Sequence, residues 1–131
     1  MKLNYITHIS IIIKDAEKSI YFYSMVLKLP LTKTVNKPNQ ILRYFKINNE
    51  QELELNEYLY EVGTYKGKLN DKGKYRHIAF NVDNIEEWQD YLEKEGYPFH
   101  IPVAIDTYLK IKSGLFLDPN GVEIELVEKL N

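Results

Sequence analysis

The chain contains no cysteine among its 131 residues, which excludes disulfide bonds and thiolate ligands for a metal. No apolar stretch approaches the roughly 20 residues that a membrane-spanning helix requires, and the first residues lack the apolar core of a secretion signal. The formal net charge is only −2, so the chain has no overall basic character of the kind that binds nucleic acid. These absences predict a cytoplasmic protein whose partners are small molecules rather than membranes or nucleic acids.

The order of predicted strands and helices repeats once along the chain. β-Branched residues at 5–13 predict a strand, and Asp15 can cap a following helix that Pro30 stops. Three strands are then predicted, at 31–36, 41–47 and 51–57. The second half repeats this order with a strand at 76–82, a helix at 85–95 capped by Asp83 or Asn84 and ended by Gly96, and strands at about 99–104, 108–117 and 122–128.

We therefore predict an α+β fold built from two βαβββ modules within a single domain of residues 1–131. The modules cover about residues 5–58 and 75–128. A polar connector at 59–74 joins them and holds three of the six glycines.

Each module carries one histidine and one glutamate at matched positions. His8 opens an apolar run in the first predicted strand of its half and Glu54 lies in the last strand, while His77 and Glu125 occupy the same places in the second half. Because side chains alternate faces along a strand, each of these residues falls on the face opposite its apolar neighbours. If that face curls into a cleft, four ligands can meet there, and two imidazoles with two carboxylates suit a divalent metal.

Two alternatives remain open from the residues alone. Glu52 and Glu123 share the same strand faces as Glu54 and Glu125 and are also candidates for the carboxylate ligands. A duplicated scaffold with ordinary surface residues would produce the same repeat without any metal. His100 has no counterpart in the first half and is predicted to lie in a loop or at a strand edge.

Nearly the whole chain resembles the vicinal oxygen chelate superfamily, and most closely bacterial glyoxalase I. Residues 15–23 are similar to the family pattern D-x-x-x-S-x-x-F-Y, and residues 118–126 to D-P-[DN]-G-x-x-I-E-L. His8 and the run His77-Ile78-Ala79-Phe80-Asn81-Val82-Asp83 complete the resemblance. It implies a curled mixed sheet around a cleft, as in glyoxalase and bleomycin-resistance proteins, and a homodimer.

The resemblance also implies a site and an activity. The metal ligands would be His8, Glu54, His77 and Glu125, holding nickel, cobalt or zinc. The reaction would be that of a lactoylglutathione lyase, with glutathione or another thiol as co-substrate. Glu125 would be the catalytic base, and Glu54 a ligand or second base.

Other members of the superfamily have other functions, which remain alternatives for this chain. They include epimerases, thiol transferases, ring-cleaving dioxygenases and non-catalytic proteins that bind small molecules and confer resistance. A glutamate at position 54 favours the glyoxalase pattern over the epimerases, which often have glutamine there. The second glutamate counts against a dioxygenase, which typically uses two histidines and one glutamate.

Overall fold

The computed structural model describes residues 1–131 and divides them into two compact units, Met1–Tyr65 and Lys66–Asn131. The first unit contains β1 (His8–Ile12), α1 (Ala16–Tyr21), β2 (Leu31–Lys37), β3 (Gln40–Lys46) and β4 (Glu52–Tyr58). The second contains β5 (Ile78–Asn81), α2 (Ile85–Lys94), β6 (Ile101–Asp106), β7 (Ile111–Leu117) and β8 (Glu123–Lys129). The predicted α+β class with two βαβββ modules is confirmed.

Each unit has one four-stranded mixed sheet, and the two sheets have equivalent strand orders. The orders are β1-β4-β3-β2 and β5-β8-β7-β6. In both, the first strand runs parallel to the last, and the remaining neighbours are antiparallel. Ser10 lies opposite Glu54 in one register and Ala79 opposite Glu125 in the other. The parallel pairing therefore brings the start of each module next to the strand that carries its glutamate.

Apolar side chains of the first unit are buried on one face of its sheet. On β1, Ile11 is buried whereas Ser10 and Ile12 are exposed, as the alternation of a strand predicts. The segment after α1 packs against this sheet through Tyr23, whose ring centroid is 6.2 Å from that of Phe45. Burial of an aromatic or leucine side chain contributes about 1.5–3 kcal/mol, so this face is a main source of stability.

The second unit buries an equivalent set of side chains. Ile85 and Leu92 of α2 are fully buried, as are Phe116 of β7 and Ile124 of β8. Phe99 packs against Phe116 with ring centroids 5.5 Å apart. Because Ile124 and Leu126 alternate with Glu123 and Glu125 along β8, the face that carries Glu125 is opposite the apolar one.

Both helices begin at a residue whose side chain accepts a backbone hydrogen bond. Asp15 accepts from the Lys18 amide at 3.0 Å, and Asn84 accepts from the Glu87 amide at 3.2 Å, so Asn84 rather than Asp83 is the cap. Gly96 follows α2 with φ +89°, the left-handed conformation that glycine adopts at low cost. These three predictions from the sequence are confirmed.

The first helix ends differently from the prediction. After Tyr21 the chain continues as a π-helical turn over Phe22–Val26, in which the Leu27 amide donates to the carbonyl five residues earlier. Lys28 then takes φ +61°, so the helix has ended before Pro30 is reached. The apolar spacing that predicted one continuous helix does not distinguish these two helical geometries.

Two predicted strands of the second half begin later than expected. Strand β5 starts at Ile78, opposite Ile124, so His77 lies immediately before the strand. Strand β7 starts at Ile111 because the Asp106 carboxylate accepts hydrogen bonds from the amides of Tyr108 and Leu109, which closes a turn there.

None of the helices has the length and apolar character that crossing a bilayer demands.

Candidate functional site

Glu54 is the centre of a hydrogen-bonded group in the first unit. Its Oε1 accepts a hydrogen bond from the Ser10 hydroxyl at 2.7 Å, and its Oε2 accepts one from the Tyr44 hydroxyl at 2.5 Å. His8 Nε2 is 3.9 Å from Glu54 Oε2. The strand register explains this arrangement, since Ser10 and Tyr44 are the direct neighbours of Glu54 on β1 and β3.

The surroundings of Glu54 hold it as a carboxylate although only 8% of the residue is exposed. Burial by itself favours the protonated acid, but the hydrogen bonds from Tyr44 and Ser10 and the charges of His8 and Lys37 lower its pKa. The same hydrogen bond to Glu54, with burial, raises the pKa of Tyr44 to about 12. At neutral pH the pair is therefore a neutral phenol that donates to an ionised carboxylate.

The His8 ring is oriented by two neighbours. Its Nδ1 is 3.0 Å from the Thr7 hydroxyl, and its ring meets that of Tyr44 edge to face with centroids 6.4 Å apart. This leaves Nε2 directed toward Glu54. Imidazole ligands of metals commonly have one ring nitrogen engaged by a neighbouring polar group while the other binds the ion.

His77 and Glu125 form the equivalent pair of the second unit. His77 Nε2 is 2.7 Å from Glu125 Oε2, a distance typical of a charge-assisted hydrogen bond. His77 directly precedes β5, and two residues further along Ala79 lies opposite Glu125. This position brings the His77 side chain next to Glu125. The side chain of Glu125 is 15% exposed.

A second carboxylate, Glu123, is buried beside this pair. The residue is 1% exposed, and its two oxygens contact different cationic or polar groups. Arg76 Nε donates to Oε1 at 3.0 Å, and His100 Nε2 lies 2.8 Å from Oε2. Glu123 Oε1 is also 3.9 Å from His77 Nδ1. A buried carboxylate needs such partners, because leaving it without them is costly.

The structure thus brings together the histidine and glutamate predicted for each half. His8 contacts Glu54, and His77 contacts Glu125. No group of three or more His, Asp or Glu side chains that could hold a metal ion is assembled in the structure. Each unit thus contains one of the predicted histidine–glutamate pairs.

The sequence did not predict the contacts of Tyr44, Arg76 and His100 in these groups, and for His100 it indicated only a loop or strand-edge position. Tyr44 was missed because its role depends on the register of β3 against β4, which pairs it directly with Glu54. Arg76 and His100 were missed because their contacts with Glu123 join positions far apart in the chain. A signal for Tyr44 was available, since a tight hairpin between the two predicted strands would have placed it opposite Glu54.

Comparison with known proteins gives one family match. The model of the glyoxalase/bleomycin resistance protein/dioxygenase superfamily matches residues 5–126. The match includes His8, Glu54, His77 and Glu125, so it covers both pairs described above.

Three characterised relatives are similar over nearly the whole chain. The lactoylglutathione lyase of Schizosaccharomyces pombe is 31% identical over 98% of this chain, but the chain spans 47% of that protein's length. The lactoylglutathione lyase of Escherichia coli O157:H7 is 29% identical over 93% of this chain and 90% of its own length. The metallothiol transferase FosB of Staphylococcus saprophyticus is 27% identical over 92% of this chain and 74% of its own.

Solved structures include a protein of the same architecture. The glyoxalase family protein from Enterococcus faecalis superimposes with a TM-score of 0.83 and 28% identity. The superposition covers 98% of this chain and the whole of the other.

Proposed function

Because the chain belongs to the glyoxalase/bleomycin resistance protein/dioxygenase superfamily, we propose that it is a divalent-metal-dependent lyase of the glyoxalase I type. Its substrate is the hemithioacetal that a 2-oxoaldehyde forms with a thiol, and its product is the 2-hydroxyacyl thioester. The reaction passes through an enediolate. A proton leaves the carbon that bears sulfur and is returned to the adjacent carbon, so no atom is gained or lost.

One observation carries the proposal: a histidine–glutamate contact recurs at equivalent places in the two units. His8 with Glu54 and His77 with Glu125 each join the beginning of a module to its last strand. The repeat of both the residue types and their contact supports a shared role for the four residues. The two lactoylglutathione lyases among the relatives agree with this choice of reaction.

The donor atoms of the two pairs fit a divalent metal. Imidazole nitrogen and carboxylate oxygen together suit nickel, cobalt and zinc, and Glu54 is already held in its ionised form. We propose that His8, Glu54, His77 and Glu125 are ligands of such an ion. When bound, the ion supplies positive charge that stabilises the negative charge developing on the vicinal oxygens of the substrate.

The surroundings of the two carboxylates suggest different roles for them. Glu54 accepts hydrogen bonds from two hydroxyl groups that lower its pKa, which makes it a weak base and a fixed ligand. Glu125 contacts His77 through Oε2, and we assign to its Oε1 the proton that moves between the two carbons. A general base of this kind contributes about 10²–10⁴-fold to the rate.

The test is the turnover of the methylglyoxal–glutathione hemithioacetal by nickel-loaded wild-type protein and by Glu125→Gln. We expect wild-type turnover that a chelator abolishes, and a loss of about 10²–10⁴-fold in kcat for the variant. Glu93→Gln on the exposed side of α2 is the matched control and should retain full activity. Full activity of Glu125→Gln would contradict the assignment of the base, and an inactive wild type would contradict the proposed reaction.

A second candidate is a thiol transferase, which the similarity to metallothiol transferase FosB favours. Such an enzyme would use the same four residues to hold the metal but would join a thiol to an electrophilic carbon. Comparing consumption of a thiol in the presence of an epoxide with isomerisation of the hemithioacetal separates the two reactions. Running both assays with several thiols also tests the proposal that glutathione is the co-substrate.

The proposal includes a homodimer, as the resemblance to glyoxalase I implies, and a cytoplasmic location, as the composition predicts. Light scattering coupled to size-exclusion chromatography measures the mass in solution. A mass near twice the 15.5 kDa of the chain is expected.

A further inference from the structure

The two carboxylates proposed as metal ligands differ in how firmly they are held. Both oxygens of Glu54 accept a hydrogen bond, one from Ser10 and one from Tyr44. Both donors lie on neighbouring strands, directly opposite Glu54 in the register. A rotation of the Glu54 carboxylate would therefore break two hydrogen bonds at once.

Tyr44 is itself fixed on several sides. It belongs to β3, a strand with a neighbour on each side. Lys33 Nζ lies 4.4 Å from the centroid of the Tyr44 ring, and the edge-to-face contact with His8 closes another side. The hydroxyl group is thereby held at 2.5 Å from Glu54 Oε2.

We propose that Tyr44 is a positioning residue whose hydroxyl, together with that of Ser10, keeps Glu54 as a permanent ligand of the metal. Glu125, which contacts His77 through one oxygen, would then be the carboxylate that moves the proton. This inference rests on the metal site of the proposed function. A carboxylate has about four positions for accepted bonds, so two hydroxyl donors leave room for an ion.

The experiment compares the nickel affinity of wild-type protein, Tyr44→Phe and Ser10→Ala by competition with a chelator. Tyr44→Phe keeps the ring that contacts Lys33 and His8 and removes only the donor. Loss of a group that orients a ligand costs about 10–100-fold in metal affinity, and we expect that loss in Tyr44→Phe with faster metal release. Ser10→Ala should weaken binding in the same direction and keeps the test valid if the tyrosine variant folds poorly.

Tyr58→Phe is the matched control, because Tyr58 lies further along β4 and its ring contacts Tyr60. Its nickel affinity should equal that of the wild type. Equal affinity of Tyr44→Phe and the wild type would overturn the inference, even in an active enzyme. Nickel-loaded wild-type protein without turnover would contradict the proposed function alone, and a wild type that binds no divalent metal would overturn both.

Discussion

The phenol of Tyr44 makes the stability of the folded protein depend on pH in the alkaline range. Its hydrogen bond to Glu54 raises its pKa from 10.0 to about 12, so the folded state retains the proton longer than the unfolded chain. The stabilisation is complete below pH 10 and is lost as the pH rises toward 12. The difference in the free energy of unfolding between wild type and Tyr44→Phe should therefore be constant up to pH 10 and shrink above it.

Urea unfolding of the metal-free proteins between pH 8 and 12 measures this difference. The other tyrosines and the lysines titrate alike in both proteins, so their effects cancel. A difference that stays constant up to pH 12 would contradict the assigned hydrogen bond.

His100 supports a buried charge in the second unit. Replacing it with alanine removes a partner 2.8 Å from Glu123 Oε2 and leaves part of a fully buried carboxylate without a hydrogen bond. Such a loss costs about 1–3 kcal/mol, which urea unfolding of the metal-free protein can measure. His8→Ala is the control: His8 is more exposed and its removal should change stability by less than about 0.5 kcal/mol. Equal stabilities of His100→Ala and the wild type would contradict the role of His100.

At the scale of elements, the pairing of β6 with β7 depends on a glycine. A Cβ at Gly114 would lie 3.1 Å from Val103 Cγ2, 3.2 Å from Phe99 Cδ2 and 3.3 Å from the Ile101 carbonyl oxygen. Gly114→Ala should therefore destabilise the protein by about 1–3 kcal/mol, as overpacking does. Gly63→Ala meets nothing within 4 Å and should stay close to wild type in the same thermal or urea experiment. Similar stabilities of the two variants would contradict the close approach at Gly114.

The elements that depend on local chemistry were predictable from the sequence. Asp15 and Asn84 cap their helices because a short polar side chain reaches the third amide beyond it, a property of nearby residues. The π-helical turn at Phe22–Val26 was not predictable, since five residues are too few for the apolar spacing to distinguish π from α geometry. The start of β5 also could not be read from the sequence, because it depends on where Ile78 meets β8.

At the scale of the whole molecule, metal binding should stabilise the folded protein. An ion that binds only the folded state contributes about 2.7 kcal/mol when its concentration is 100 times the dissociation constant. We expect excess nickel to raise Tm and a chelator to reverse the increase. If all four proposed ligands hold one ion, His8→Ala and His77→Ala should each reduce the shift. A full shift in either variant would mean that its unit does not contribute to the site.

The contact within each histidine–glutamate pair was predictable because the duplication places both residues at matched positions. His8 and His77 stand at matched places in a repeated pattern, and the two glutamates alternate with apolar residues on the closing strands. The donors around them were not predictable by the same means. Ser10 and Tyr44 reach Glu54, whereas Arg76 and His100 reach Glu123, so the two units differ in contacts that depend on register.

The parallel pairing of the first strand with the last also delays formation of that strand pair during protein synthesis. Strand β1 leaves the ribosome before its only neighbour in the sheet, β4, has been made. At about 5–20 residues per second, the interval between His8 and Glu54 is on the order of 2–9 s. Throughout that time β1 has no strand to pair with. His77 is synthesised only after both His8 and Glu54, and strand β5 likewise has no partner until β8 has been synthesised.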